Sequence, residues 1–130
     1  MILDTCFIID LLHKDKSAIE KLKELNSTQE SQIITTVSVF ELFTGIVQYA
    51  RPEQERANVM DIINSQIIIP LDMESAMKGG EIDGQLTKKG QTIDQQDSMI
   101  AGIALTRNEK ILTRNVKDFS KIHGLRVETY

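Results

Sequence analysis

The sequence has one cysteine, no tryptophan, two prolines and two histidines among 130 residues, and aromatics make up only 5% of it. A lone thiol forms no internal disulfide, and no Cys/His spacing of the zinc-binding kind is present, so a reducing, cytoplasmic setting is expected. Long apolar runs are missing too. Met1 to Leu3 is cut by Asp4, and Phe7 to Leu12 by Asp10, which excludes both a signal peptide and a membrane span in this reading. Excess positive charge is also absent: the formal net charge of -4 argues against a protein that grips nucleic acid over its whole surface. What remains is an ordinary globular balance, 41% hydrophobic and 26% charged, in a length that suits one compact domain over residues 1–130.

The apolar pattern alternates between two periods. Met1 to Leu3, Ile33 to Thr36, Ile67 to Ile69, Ile111 to Thr113 and Leu125 to Thr129 read as short strands. Between them, Phe7 to Leu12, Ser17 to Leu25, Val37 to Tyr49, Pro52 to Asn64, Met73 to Leu86 and Asp97 to Leu105 carry helical spacing. The fourth of these is expected to bury Ala57, Met60 and Ile63 or Ile62, as core or as a dimer surface. The Gly79-Gly80 pair is expected to let the fifth pack closely. Such alternation predicts an α/β fold, with a mostly parallel central sheet of four or five strands and helices on both faces.

Charge is unevenly spread. Residues 52–97 carry nine acids and four bases, whereas residues 107–126 carry six bases and two acids. Three acidic or amide-rich segments fall where an open parallel sheet binds ligands, at the carboxyl ends of its strands, and Asp97 is expected to converge on the same end. Asp4 follows the first strand, Glu41 lies early in the helix after the second, Asp97 opens the helix feeding the fourth, and Asn115 to Asp118 follows the fourth. Two carboxylates about 4 Å apart repel by about 4 kcal/mol at an effective dielectric near 20, so a cluster of four needs a cation. Oxygen-only ligands select Mg²⁺ or Mn²⁺ over zinc.

Leu3-Asp4-Thr5, Val37 to Gly45 (VSVFELFTG), Asp97 to Gly102 (DSMIAG) and Thr113 to Phe119 (TRNVKDF) resemble, in order and spacing, the four signature blocks of PIN-domain ribonucleases of the VapC type, the toxins of toxin–antitoxin pairs. The resemblance runs from Met1 to Glu128 and implies a PIN-like fold. It also implies a metal-dependent endoribonuclease, in which metal-activated water attacks an RNA phosphodiester in line and leaves a 5′-phosphate and a 3′-hydroxyl. Asp4 and Asp97 correspond to the principal metal ligands, Glu41 to a ligand or water-orienting group, and Asp118 to the fourth carboxylate, bound directly or through water. Asn115 stands where some members place an acid, and Thr5 and Thr113 match the buttressing hydroxyls. Arg114, Lys117 and Lys121 are candidate contacts for RNA phosphates. A VapB-like antitoxin with a basic segment and a homodimeric assembly are the implied partners.

Plainer readings compete at each position. Ser38-Val-Phe-Glu41 has the form of a capping box, and Asp94-Gln-Gln-Asp97 that of an N-cap followed by a first-turn acid; capping is assigned to Asp94 and metal binding to Asp97. Asp118 and Asn115 both suit a simple turn, and Cys6 a small buried apolar residue. A phosphatase with an aspartyl nucleophile would want a second Asp two residues after Asp4, where Cys6 stands. His13 and His123, the acid and base a metal-free ribonuclease would need, lie outside every block. The remaining alternative is a non-catalytic interaction module of the same fold.

Overall fold

The computed structural model describes all 130 residues. Five short strands, β1 (Ile2–Leu3), β2 (Ile33–Thr35), β3 (Ile67–Ile69), β4 (Ile111–Leu112) and β5 (Val127–Glu128), form one sheet in the order β3-β2-β1-β4-β5. Every pairing is parallel, with Ile2 opposite both Ile33 and Ile111. Strand order reverses direction between β1 and β4, which opens a crevice at the carboxyl ends of those two strands.

The alternation of side chains along each strand sorts the apolar residues into two layers. Ile2, Ile33 and Ile111 point to one core, shared with Ile100, Ile103 and Phe119. Leu3, Ile34 and Leu112 point to the other, shared with Phe7, Ile8, Leu42 and Val59. The first layer is covered by α5 (Met73–Lys88) and α6 (Gln95–Thr106), the second by α1 (Thr5–Leu12), α2 (Lys16–Ser27), α3 (Thr36–Ile46) and α4 (Pro52–Asn64). Ile2, Ile8, Ile34, Ile100, Ile103, Ile111 and Leu112 are wholly buried, and each such side chain contributes roughly 1.5–3 kcal/mol.

Three local expectations shift. Of the glycine pair only Gly79 serves packing: a Cβ there would stand 2.9 Å from the Ser98 carbonyl, and one on Gly102 would strike the Ser75 carbonyl, whereas Gly80 faces open space. The buried residue of α4 is Val59, flanked by half-buried Ile62 and Ile63, while Ala57 is exposed. Adjacent isoleucines leave the helical phase ambiguous by one position, and packing settles it. Finally, residues after β4 form a short helix, α7 (Val116–Phe119), rather than only a turn, because fully buried Phe119 anchors them to the first core.

Candidate active site

Asp4 leaves β1 with an extended backbone and caps α1: its Oδ1 accepts from the Thr5 amide at 2.8 Å. Its Oδ2 accepts from the Thr113 hydroxyl at 2.6 Å, and from the Cys6 thiol at 3.1 Å. A carboxylate that is 4% exposed thus has both oxygens committed to donors, which fixes its orientation. Thr5 ties the next acid in, donating its hydroxyl to Glu41 Oε1 at 2.8 Å. The capping box is not formed: Thr35 caps α3, accepting from the Ser38 amide at 3.1 Å, and Glu41 is free to face Asp4.

Asp97, in the first turn of α6, accepts from the Asn115 amide nitrogen at 3.0 Å. The same nitrogen lies 3.2 Å from Asp118 Oδ2, so Asn115 sits between two carboxylates as a donor. Asp118 is neutralised on its other oxygen by Lys121 Nζ at 2.9 Å, which holds its carboxyl below the usual range. Asp97 has no such cation. Burial, and then the charges of Asp4, Glu41, Asp94 and Asp118, push it up to about 7. Glu41 is raised as well, by burial first, with Asp4 and Asp94 adding to it against the Thr5 hydrogen bond.

The fold therefore brings Asp4, Glu41, Asp97 and Asp118 into one electrostatic group, with Thr5, Thr113 and Asn115 as its hydrogen-bonding frame. No three acids close into a ready-made cage for an ion. Asp94 belongs to the group as well. It occupies the N-cap position of α6, yet its side chain makes no capping hydrogen bond, and its charge bears on both Glu41 and Asp97. The S/T/D-x-x-D spacing that suggests capping hides this role. Cys6 also differs from expectation: it is half-buried, touches Asp4 and Thr113, and its thiol is pushed up by burial and by Asp4.

Among the candidate phosphate contacts, Arg114 is already engaged. It lies 3.2 Å from Asp10 and 2.7 Å from Asp15, stacked 4.8 Å above the ring of Tyr130, whose hydroxyl donates to Asp10 at 2.6 Å. Lys117 is exposed at the rim of α7, and Lys121 is shared with Asp118. Neither histidine enters the group, and His13 instead pairs with the Tyr49 hydroxyl at 3.0 Å.

A carboxylate cluster at the switch point of a parallel sheet of this topology has a counterpart among known proteins. Residues 1–125 match the family model of the PIN domain. The chain belongs to the PIN-domain family. Within it, the chain groups with the VapC ribonucleases: it is 32% identical to Ribonuclease VapC1 of Rickettsia felis over 133 residues, covering 99% of this chain and 95% of that protein. It is 29% identical to the tRNA(fMet)-specific endonuclease VapC of Salmonella typhimurium, covering 98% and 96%. Two solved PIN-domain complexes superimpose over nearly the whole chain. VapBC2 from Rickettsia felis bound to a promoter DNA fragment gives a TM-score of 0.89 at 25% identity, covering 99% of this chain and 97% of that one. DNA-bound VapBC from Salmonella typhimurium gives 0.86 at 29%, covering 98% and 96%. No helix of this PIN domain is long and apolar enough to cross a membrane.

Proposed function

We propose that this PIN domain is a divalent-metal-dependent endoribonuclease, the toxin of a toxin–antitoxin pair, and that Asp4, Glu41, Asp97 and Asp118 form its catalytic centre. The observation that carries the reading is Asp97, held up to about 7 by burial and four other acids with no cation of its own. Oxygen donors alone, clustered against mutual repulsion, suit Mg²⁺ or Mn²⁺. Such an ion supplies charge neutralisation and a more acidic bound water.

Each side chain has a distinct part. Asp4, orientated by Thr5 and Thr113, and Asp97, held by a single amide, would hold the ion. Glu41 has Oε1 fixed by Thr5 while Oε2 has no hydrogen-bond partner within the protein, so Glu41 would hold the ion or orient the attacking water and take up its proton through Oε2. Its carboxyl, raised first by burial, is a stronger base than an ordinary glutamate. A new bond from the water oxygen to phosphorus would form as the phosphorus–O3′ bond breaks, and the departing 3′-oxygen would take a proton from solvent water, giving a 3′-hydroxyl and a 5′-phosphate. Asp118 is tempered by Lys121 and reaches the centre through Asn115, so it acts through water or a second ion.

A VapB-like antitoxin with a basic segment would neutralise the acidic crevice, and a homodimer is the expected assembly in the cytoplasm. The test is digestion of total cellular RNA, with initiator tRNA as a first defined substrate because of the Salmonella relative's specificity. Wild type with Mg²⁺ is expected to cleave, and Asp97→Asn to lose at least about 1,000-fold while remaining folded with a cooperative melting transition; loss of a transition-state contact worth roughly 4 kcal/mol gives that factor. Equal cleavage by Asp97→Asn would reject the assignment, and a wild type inert with Mg²⁺ and Mn²⁺ would favour the non-catalytic module.

A further inference from the structure

An acidic centre repels the polyanion it is proposed to cut, so the strand must be gripped elsewhere, and a second feature of the fold answers this need. Lys78, Ile82 and Gln85 lie on one stripe of α5, at helical spacing, and Lys89 caps its C-terminal end. Across from them run Lys121, Ile122 and His123, just after α7. Together with Leu86 and Leu105 these residues enclose a cavity of about 140 Å³, the room of four or five waters at roughly 30 Å³ each. No carboxylate lines it. Lys78, Lys89 and His123 take part in none of the nine ion pairs of the molecule, although Glu74 and Glu81 stand one turn away from Lys78 on α5. In a chain of net charge -4, the two lysines stand on this lining without an acidic partner.

The cavity is joined to the active site by one side chain. Lys121 lines it and also pairs with Asp118 at 2.9 Å, and Asp118 meets Asp97 through Asn115. We propose that the pocket formed by Lys78, Lys89, Lys121 and His123 binds the sugar–phosphate backbone of the RNA strand beside the cleaved bond. This rests on the ribonuclease reading above. Backbone contacts position a strand without reading its sequence, so the pocket supplies affinity and register, and selection of the cleaved bond is left to the crevice. Its apolar floor, Ile82, Leu86 and Ile122, is buried, so the cations are presented from a rigid base.

Binding of a fluorescent single-stranded RNA, read by anisotropy in EDTA so that no cleavage occurs, tests the proposal. Lys78→Glu/Lys89→Glu is compared with Lys16→Glu/Lys23→Glu on exposed positions of α2, a variant of the same net charge. The pocket variant is expected to weaken binding at least 10-fold at low salt and to lower the slope of log affinity against log salt by about 1.4, two phosphates at roughly 0.7 each. The α2 variant is expected to shift affinity less than about 3-fold. Single-stranded DNA of the same sequence should lose as much as RNA, since the contact is to phosphate. Equal losses in the two variants would reduce the effect to net charge and overturn the proposal, as would wild-type affinity in the pocket variant. A loss confined to RNA would overturn the phosphate assignment. Cleavage of RNA by wild type in Mg²⁺, run beside these titrations, keeps the ribonuclease reading separate: it can fail while pocket binding holds, and the reverse.

Discussion

Around Met1 and Lys110, the residues that lead into β1 and β4, every carboxylate has a cation. The Met1 amine lies 2.8 Å from Glu109 and 3.9 Å from Glu30, Lys110 lies 3.7 Å from Glu30 and 3.4 Å from Glu128, and Lys21 lies 2.6 Å from Glu128. Beyond the other ends of the same strands, five acids share one cation, Lys121 on Asp118. Charge moves in opposite directions at the two places: Glu128 is held low by Lys21, while Asp97 is driven high by burial and its acidic neighbours. The balanced network stabilises the folded chain as it stands. The unbalanced one costs stability in the chain as it stands, which is the pattern the proposed metal site requires and a scaffold does not.

Supplying the missing cation should give the largest effect. With Mg²⁺ at about 100 times its dissociation constant, mass action adds about 2.7 kcal/mol, or roughly 8 °C in melting temperature for a chain of this size. EDTA should remove the gain, and Asp97→Asn should abolish most of it, whereas Glu128→Gln should leave the Mg²⁺ response intact. A melting temperature that ignores Mg²⁺ in the wild type would dissolve the contrast between the two regions.

The contrast also shows how far sequence reasoning reaches. Strand and helix order follows from the switch between period two and period 3.6, and Asp4 can be placed from its position after an apolar run alone, because buried strands end where the ligand crevice begins. Glu41, Asp97 and Asp118 are legible only as members of a joint pattern, since each in isolation suits a cap or a turn. Asp94 is half legible, because side-chain rotation, which spacing does not specify, decides whether a cap forms; the residue takes the N-cap position with the capping backbone but makes no side-chain capping bond. Arg114 escapes for a different reason. Its partners Asp10, Asp15 and Tyr130 are distant in sequence or out of helical register with it, so only folding reveals that a seemingly free cation is spent.

Titration should separate the two regions next. In the folded chain Asp97 titrates at about 7 against an ordinary 3.8, so between those values the folded form holds a proton that the unfolded form has released. Stability of the chelated protein should therefore fall as pH rises from about 4 to 7, by about 2 kcal/mol once solvent screening is allowed for. Glu41, also raised, adds to the same slope. Carboxyls held low, such as Glu128 and Asp118, contribute stability above the ordinary range that is lost only as pH falls through more acidic values. Melting curves across pH in EDTA should show the decline in wild type and a flatter profile in Asp97→Asn. On the balanced side, Lys21→Met should cost about 1 kcal/mol at all of these pH values, by leaving Glu128 short of a partner, and should leave RNA cleavage unchanged.

Asp94→Asn is the finest probe, because it changes charge and little else. Asn caps a helix about as well as Asp, and the Asp94 side chain makes no capping bond to lose, so α6 should keep its stability. Removing one like charge should relieve Asp97 and Glu41, lowering both titrations and raising stability in EDTA slightly, by about 0.3–0.5 kcal/mol. With Mg²⁺ present the sign should reverse. An acid that faces the crevice adds attraction for a cation, and its loss should weaken Mg²⁺ binding severalfold by isothermal titration, with cleavage reduced only at limiting Mg²⁺. A variant more stable without the ion and less responsive to it would tie Asp94 to the site, whereas one that simply loses helix stability in both conditions would return it to capping.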